Sequence, residues 1–330
     1  MKKGNCIIPI RHRPFACIRF CLSVALILVA TGLARGTPPV DADGRPLIRK
    51  LGTVECDDVE NSPFVFHDKL YRLDARSIRI VDCTTGKKMP LPVKGGFANA
   101  FVDDDTVYVS TADTSHGKVF LWCSRDLEHW DSRIALDLPA NQICNTSICK
   151  APDQFVLMYE IGTPKEEAGV PFTARFAISK DLKHWTVTPL KCNYAKDRYT
   201  APHCLRYLDG YYYDFYLESM ESFGRPRGYE QYVVRSKDFI HWEQSPLNPV
   251  LRASKDDRII RNPNLTPQQR ERIAKAVNCN NSDMDMCEYQ GRLVLFYSWG
   301  DQLGVEHLAE AVYDGTLADF LQGWFPKGKR

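Results

Sequence analysis

A seven-residue pattern that occurs three times at nearly even spacing is the feature that most constrains the fold of this chain. Each copy reads Ser-x-Asp-x-x-His-Trp, and the copies occupy residues 124–130, 179–185 and 236–242. Repeats of about fifty residues with strand-like sequence between the copies are typical of β-propeller blades. The Ser and Asp side chains are spaced to bond backbone amides in a tight turn, and the Trp is large enough to fill the space between neighbouring sheets.

Pairs of short segments with alternating apolar and polar residues extend this rhythm along the chain. Each pair is joined by a turn that contains Asp or Gly, and five pairs occur, at residues 64–73, 100–110, 147–159, 204–217 and 286–297. Alternation with turn residues between the segments predicts β-hairpins. Five such units of about fifty residues each nearly fill residues 37–330. We therefore predict an all-β fold, a five-bladed β-propeller with four-stranded antiparallel blades.

One short helical insertion is predicted between the fourth and fifth units, outside the ring or over one of its mouths. Thr266 is suited to the N-cap and Pro267 to the first helical position, and Gln269 completes a capping box before a helix that runs to residue 277. Near the end of the sequence, residues 313–324 are interpreted as a degenerate copy of the repeat.

The first 36 residues are predicted to be a signal peptide. A basic start precedes an apolar run at residues 20–33 that is too short to span a bilayer, and the small residues Ala34 and Gly36 follow it. A retained N-terminal anchor is the alternative. Because no later stretch is apolar enough to cross a membrane, we expect the mature protein, residues 37–330, to be soluble and either secreted or periplasmic.

The composition argues against several classes of partner and cofactor. The chain has 43 Lys and Arg against 41 Asp and Glu residues, and no block of like charge outside the leader. This balance argues against nucleic acid, and against a membrane surface after leader cleavage. Nine of the 12 cysteines follow residue 36, and none has the C-x-x-C spacing of a zinc site. We predict no cofactor, while one or two disulfides stay open.

Five polar segments stand at the starts of the predicted inner strands. In a propeller these strands converge on the axis, so that segments distant in sequence share one pocket at a mouth of the channel. Polar residues at all five places favour a ligand site over turn chemistry alone. The segments are residues 57–63, 98–99, 145–147, 199–203 and 280–285.

The repeat and the polar segments together resemble the five-bladed glycosidases. That superfamily holds the arabinanase/xylosidase family 43 and the invertase/fructosidase family 32 of glycoside hydrolases, with related mannoside phosphorylases. The resemblance covers the mature protein as architecture and repeat. The strings Glu-Asn-Ser-Pro, Asn-Thr-Ser and Asn-Asn-Ser-Asp-x-Asp, which begin at Glu60, Asn145 and Asn280, indicate a separate branch.

The resemblance implies three catalytic groups, one from each of the first three blades. A carboxylate of the first blade acts as base or nucleophile, a second carboxylate positions it, and a Glu of the third blade is the acid. Glu60 matches the first of these groups. Asn99 and Asn145 stand where the resemblance places the other two, and an amide cannot shuttle a proton at neutral pH. The usual trio therefore does not transfer whole to this sequence.

Four carboxylates are predicted to take part in catalysis: Glu60, Glu160, Asp283 and Asp285. Glu160 ends an apolar strand, where burial would raise its pKa and suit a general acid; a structural pair with an Arg is the alternative. Asp283 and Asp285 are two residues apart and are expected on one side of the strand. One would act as base while the other orients it or binds a sugar hydroxyl, unless both only form a turn.

Eight further residues are predicted to bind the substrate. A surface ion pair is the alternative for each Arg, core packing for the Trp, and a hydrogen-bonded channel position for the His. An axial divalent ion stays open, with Asp283, Asp285 or His203 as ligands, although no spacing demands one. The eight residues are Asn61, Asn99, Asn145, Arg175, Arg198, His203, Trp299 and Gln302.

The leading hypothesis is an exported glycoside hydrolase that cleaves an oligo- or polysaccharide through a pair of carboxylates in the axial pocket. A carbohydrate-binding propeller without catalysis is the alternative, indicated by the amides at Asn99 and Asn145. A third hypothesis is a sialidase-like enzyme, which would use Tyr229 and Glu230 with three converging arginines. The sequence leaves the sugar, the linkage and the stereochemical course open.

Overall fold

Five antiparallel β-sheets form the blades of a propeller in the computed structural model, which describes Met1 and residues 37–326. The predicted five-bladed fold is confirmed, whereas the predicted signal peptide lies, Met1 apart, outside the described residues. The strands are β1 (Arg49–Cys56), β2 (Asn61–Phe66), β3 (Lys69–Asp74), β4 (Arg79–Asp82), β5 (Lys88–Pro90), β6 (Gly96–Asp103), β7 (Thr106–Asp113), β8 (Lys118–Ser124), β9 (Asp131–Asp137), β10 (Gln142–Ala151), β11 (Gln154–Thr163), β12 (Thr173–Ser179), β13 (Trp185–Val187), β14 (Asn193–Tyr194), β15 (Cys204–Leu208), β16 (Tyr211–Ser219), β17 (Tyr229–Ser236), β18 (Trp242–Gln244), β19 (Asn280–Tyr289), β20 (Arg292–Gly300) and β21 (Glu306–Tyr313).

Consecutive strands build the first four blades. Blade 1 contains β2–β5, blade 2 β6–β9, blade 3 β10–β13 and blade 4 β15–β18, each with its first strand innermost. In blade 3, β14 also pairs with β12. Blade 5 has the order β19, β20, β21, β1, so its outermost strand comes from a segment that precedes blade 1 in the sequence.

The three copies of the repeat form the turn between the third and fourth strands of blades 2, 3 and 4. In the first copy, the Ser124 hydroxyl accepts from the Leu127 N–H at 2.9 Å, and Asp126 Oδ1 accepts from the N–H groups of Glu128 and His129 at 2.8 Å each. These bonds hold Leu127 at a φ of 64°, and the Asp of each other copy accepts the same two backbone bonds. The predicted role of the motif as a turn is confirmed.

Hydrophobic side chains fill each of the five interfaces between neighbouring blades. The Trp that ends each repeat packs against the cluster between its own blade and the preceding one, which is the position that its size predicts. Burial of these clusters supplies most of the stability of a propeller, because each sheet contacts only its two neighbours. The three residues are Trp130, Trp185 and Trp242.

Three helices lie outside the sheets: α1 (Lys165–Ala168), α2 (Pro267–Lys275) and α3 (Leu317–Gly323). The predicted insertion α2 is confirmed, with the Thr266–Gln269 capping box formed in both directions. The interpretation of residues 313–324 as a repeat copy is wrong. Thr316 caps α3 there, because β1 already fills the fourth position of blade 5 and leaves no strand for a turn to reach.

Two further expectations can be compared with residues 37–326. All nine cysteines from Cys56 to Cys287 are free in this range, so none of the disulfides that the sequence left open is formed there. None of the helices in the same range combines the length and apolar character that crossing a membrane requires.

A buried ion pair fastens β1 to blade 5. Lys50 Nζ lies 2.6 Å from Asp257 Oδ1 and 2.6 Å from the Asn281 side-chain oxygen. Asp257 is fully buried and also accepts from the Tyr297 hydroxyl at 2.7 Å. Because β1 closes the ring through its pairing with β21, these contacts join the two ends of the propeller.

We predict that Lys50→Met lowers the free energy of unfolding by about 3–5 kcal/mol, because it leaves the buried Asp257 carboxylate without its counter-charge. Lys88→Met is the matched control, since Lys88 is exposed and pairs with Glu55 on the same strand, β1; it should change stability by less than about 1 kcal/mol. Urea unfolding followed by tryptophan fluorescence measures both. Equal effects of the two variants would contradict the role given to Lys50.

Candidate active site

Two adjoining cavities open where the inner strands converge. The axial cavity has an empty volume of about 390 Å³ and is lined by Glu60, Asn61, Ser62, Ala75, Phe97, Ala98, Asn99, Asn145, Thr146, Pro202, His203, Cys204, Asp283, Met284 and Asp285. The side cavity, of about 650 Å³, shares five of these residues and adds Val59, Cys144, Phe172, Tyr199, Ala201, Leu217, Tyr229, Gln302 and Glu306. All five predicted polar segments contribute to this site.

Irregular backbone directs the polar side chains into the axial cavity. The inner strands of blades 2, 3 and 5 each have a register shift close to the cavity, between residues 96 and 99, 143 and 146, and 282 and 285. Glu60 and Asp283 both adopt left-handed conformations, with φ of 53° each. Such bulges and left-handed residues are costly for non-glycine side chains and re-aim them, which is frequent at functional sites.

Glu60 and Asp283 form the acidic centre of the axial cavity. Burial, and then the charges of Asp283 and Glu160, raise the pKa of Glu60 to about 8, while Arg76 acts in the opposite direction. Burial also raises the pKa of Asp283, against hydroxyl hydrogen bonds from Ser282 and Ser298 that favour its ionised form. Two carboxylates that interact in this way resist ionising together.

The two cavities carry negative charge without a basic side chain to balance it. No Lys or Arg belongs to the described residues that line either cavity. Glu306, at the start of β21, adds a third carboxylate, and burial raises its pKa to about 7. It accepts from the Gln302 N–H at 2.6 Å. Glu306 was not among the residues predicted from the sequence, because it begins a third strand and no inner-strand argument points to it.

Glu160 lies behind the cavity wall and is fully buried, as its strand position predicts. Its two oxygens accept from the Asn145 side-chain amide and from the His203 N–H, each at 3.0 Å. Burial raises the pKa of Glu160 to about 7. Because both oxygens are bonded within the protein and the residue lines neither cavity, Glu160 is placed to act on its neighbours rather than on a ligand.

Asp285 is held by a cation, in contrast to the expectation that it shares one side of β19 with Asp283. The bulge between residues 282 and 285 interrupts the strand alternation, and Asp285 forms an ion pair with Arg206. Its other oxygen accepts from the Asn99 amide at 3.2 Å, and Asn99 also donates to Ser62 at 2.7 Å. These bonds cross the axis between four blades and close the base of the cavity.

The axial residues do not fit a divalent cation. The carboxylate nearest the axis, Asp285, already has the Arg206 guanidinium as its counter-charge, and both ring nitrogens of His203 are bonded within the protein. A divalent ion needs free oxygen or imidazole donors converging on one point. Among residues 37–326, no group of three or more His, Cys, Asp or Glu side chains is placed to hold a metal.

Three of the predicted binding residues lie away from both cavities. Arg175 is buried between strands and pairs with Glu167 at 3.1 Å, and Arg198 donates to Glu218 at 2.9 Å. Trp299 is fully buried and donates to the Thr53 hydroxyl at 2.9 Å, so its ring cannot stack on a sugar. For all three, the structural alternative of an ion pair or core packing describes the observed contacts.

The other five predicted binding residues line the site. Asn61 is buried, and neither its amide nitrogen nor its oxygen has a partner among the described residues. Asn145 and Asn99 are bonded to carboxylates, Gln302 donates to Ser282 at 3.2 Å, and His203 forms part of the axial wall. Asn61 is thus a wall residue whose hydrogen bonds are free for a ligand.

We predict that the protein loses stability as the pH rises from about 4.5 to about 8, in part through Glu60. Its pKa is raised in the folded state, so the folded protein binds more protons than the unfolded chain in that window and stability falls with pH. Glu60→Gln should be more stable than the wild type by about 1 kcal/mol above pH ~8 and equally stable near pH ~4.

Urea unfolding at several pH values measures this difference, with the exposed Glu221→Gln as control. A Glu60→Gln difference that is the same at both ends of the pH range would show that Glu60 is not desolvated.

No protein-family model matches the sequence, and a search of curated proteins finds no match. Solved structures do match the fold. A structure of BT0996, whose printed name describes a complex and includes RGII, is 15% identical, with 82% of this protein and 93% of that one covered and a TM-score of 0.53. A glycosyl hydrolase from Bacteroides ovatus is 14% identical, with 84% and 94% covered and a TM-score of 0.51.

A third match is "Bacteroides ovatus Xyloglucan PUL GH43B", which is 12% identical over 80% of this protein and 54% of that one, with a TM-score of 0.52. These likenesses concern the fold, since the sequences have diverged far. The protein has the five-bladed β-propeller fold found in glycoside hydrolases of family 43.

Proposed function

We propose that the protein is an exported glycoside hydrolase that cleaves an oligo- or polysaccharide in the axial cavity, with Glu60 and Asp283 as its carboxylate pair. The observation that supports this most is the proximity of two desolvated carboxylates in one cavity of a glycoside hydrolase fold. Glycoside hydrolysis needs one carboxyl group that carries a proton and one that is ionised. Export follows from the leader that the sequence predicts.

The environments of the two groups assign their roles. Asp283 receives hydrogen bonds from two serine hydroxyls, which favour its anion, whereas the charge of Asp283 disfavours ionisation of Glu60. At neutral pH Glu60 therefore keeps a proton that it can donate to the glycosidic oxygen, and Asp283 serves as base or nucleophile. This assignment differs from the one that the resemblance implied, in which the first blade supplies the base.

The remaining wall residues suit carbohydrate recognition. The unpartnered amide of Asn61 can donate to one sugar hydroxyl and accept from another. In the side cavity, Phe97, Phe172, Tyr199 and Tyr229 present apolar faces that can contact the C–H face of a neighbouring sugar unit. Two similar structures carry a glycan in their names, RGII and xyloglucan, which agrees with a carbohydrate as ligand.

A carbohydrate-binding propeller without turnover is the second candidate. It is favoured by the amides at Asn99 and Asn145, which stand where the resemblance implies carboxylates. A sialidase-like enzyme has no such support. The structure has five blades, Glu230 is taken up by an ion pair with Arg225, and no arginine lines either cavity in the described part of the sequence.

We predict that residues 37–330 release sugars from at least one member of a panel of plant, algal and host glycans, and that Glu60→Gln and Asp283→Asn each lower kcat/KM by about 10²–10⁴. Early NMR spectra of the products identify the anomer that is released first. Glu221→Gln, an exposed change of the same kind, should retain wild-type activity.

Two results would go against this proposal. Full activity in both Glu60→Gln and Asp283→Asn would remove the carboxylate pair from the mechanism. Binding by calorimetry that Asn61→Ala weakens, without turnover of any glycan in the panel, would favour the non-catalytic propeller.

A further inference from the structure

A hydrogen-bonded network of buried polar residues runs behind the axial cavity between blades 3 and 4. His203 Nδ1 lies 2.8 Å from Asp214 Oδ2, and His203 Nε2 lies 3.0 Å from the Thr200 hydroxyl. The His203 N–H donates to Glu160 at 3.0 Å. Thr200, Glu160 and Asp214 are fully buried and His203 is 5% exposed. None of these contacts is required by the proposed acid and base, so their presence calls for a separate explanation.

The arrangement is costly if it only fills space. Asp214 is a buried carboxylate whose Oδ1 has no partner among the described residues, and an isolated buried charge is strongly unfavourable unless an opposite charge lies beside it. The adjacent group that can supply this charge is the His203 ring. Both ring nitrogens are bonded within the protein, so His203 has no free nitrogen with which to transfer a proton to a ligand.

We propose that Asp214 and His203 are positioning residues for the carboxylate pair: Asp214 holds the His203 ring as a cation, and this cation keeps Glu160 ionised behind Glu60, so that Glu60 retains its proton. The inference rests on the proposed function, in which Glu60 is the proton donor. The negative charge of Glu160 reaches Glu60 through a protein wall of low dielectric constant, where electrostatic interactions are strong.

The charged and titratable groups around each member agree with this sequence of effects. His203 interacts with Asp214, Glu160 and Arg198, and its pKa is raised by Asp214 although burial alone would lower it. The cation of His203 and the hydrogen bonds from Asn145 and the His203 N–H lower the pKa of Glu160 against the effect of burial.

Glu60 in turn interacts with Asp283, Glu160 and Arg76. Of these groups, Glu160 alone is linked to the His203–Asp214 pair by described hydrogen bonds. The Tyr199 hydroxyl also lies near the carboxylates, and burial raises its pKa, so it stays neutral.

The test compares Asp214→Asn with the wild type. Without its counter-charge the ring becomes neutral, Glu160 takes up a proton and Glu60 ionises more readily. The alkaline limb of the kcat/KM profile should then move down by about one pH unit, which is about a tenfold loss near pH ~8 with less than about twofold change near pH ~6. Glu160→Gln should shift the limb in the same direction, and Asp214→Glu should restore it.

Asp257→Asn is the matched control, because it removes a buried carboxylate from the Lys50 pair and should cost stability without moving the pH profile. In parallel, ¹⁵N NMR of the His203 ring should show a cation near pH ~7 in the wild type and a neutral ring in Asp214→Asn.

A neutral His203 ring in the wild type would overturn the proposal even if Asp214→Asn does not fold, and so would an unshifted profile in Glu160→Gln. If no glycan is turned over, the proposed function fails by itself. The positioning role is then decided by the ring spectra and by whether the carboxyl titration of Glu60 moves down in Glu160→Gln.

Discussion

Pairing of β1 with β21 is the constraint on which the site depends. It closes the ring by making a segment that precedes blade 1 the outer strand of the last blade. The backbone then crosses from the outer edge of blade 5 to the axis within four residues, 57–60, and begins the inner strand of blade 1. Glu60 arrives beside blade 5 and donates its N–H to Ser298 on β20 at 3.3 Å. Ring closure and the meeting of Glu60 with Asp283 are therefore one structural event.

Desolvation gives this meeting its chemical consequence. The described walls of both cavities contain carboxylates and no Lys or Arg, so the charges of Glu60 and Asp283 are not compensated locally. Below them, Arg206 neutralises Asp285 and closes the axis, which confines the unbalanced charge to the level where a ligand would enter. A proton is the simplest counter-charge for such a cavity, and a retained proton is what a general acid requires.

The architecture and the position of the site were predictable from the sequence, and the partners of individual side chains were not. The evenly spaced repeat determined the blade count because each turn uses only local hydrogen bonds, as at Ser124 and Asp126. The placement of Asp285 failed because a bulge, which strand alternation cannot reveal, separates it from Asp283. Arg175, Arg198 and Trp299 were misplaced because their partners Glu167, Glu218 and Thr53 are set by tertiary packing.

The most direct test of the central claim, that the axial cavity keeps a proton at neutral pH, is a ¹³C NMR titration of the Glu60 carboxyl group in the wild type and in Asp283→Asn. The account predicts that Glu60 titrates near its raised pKa of about 8 in the wild type. In Asp283→Asn it should titrate at clearly lower pH, since one of the charges that disfavour its ionisation is gone. Titration of Glu60 near the ordinary glutamate value of about 4.3 in both proteins would contradict the account, because the cavity would then hold no proton to donate.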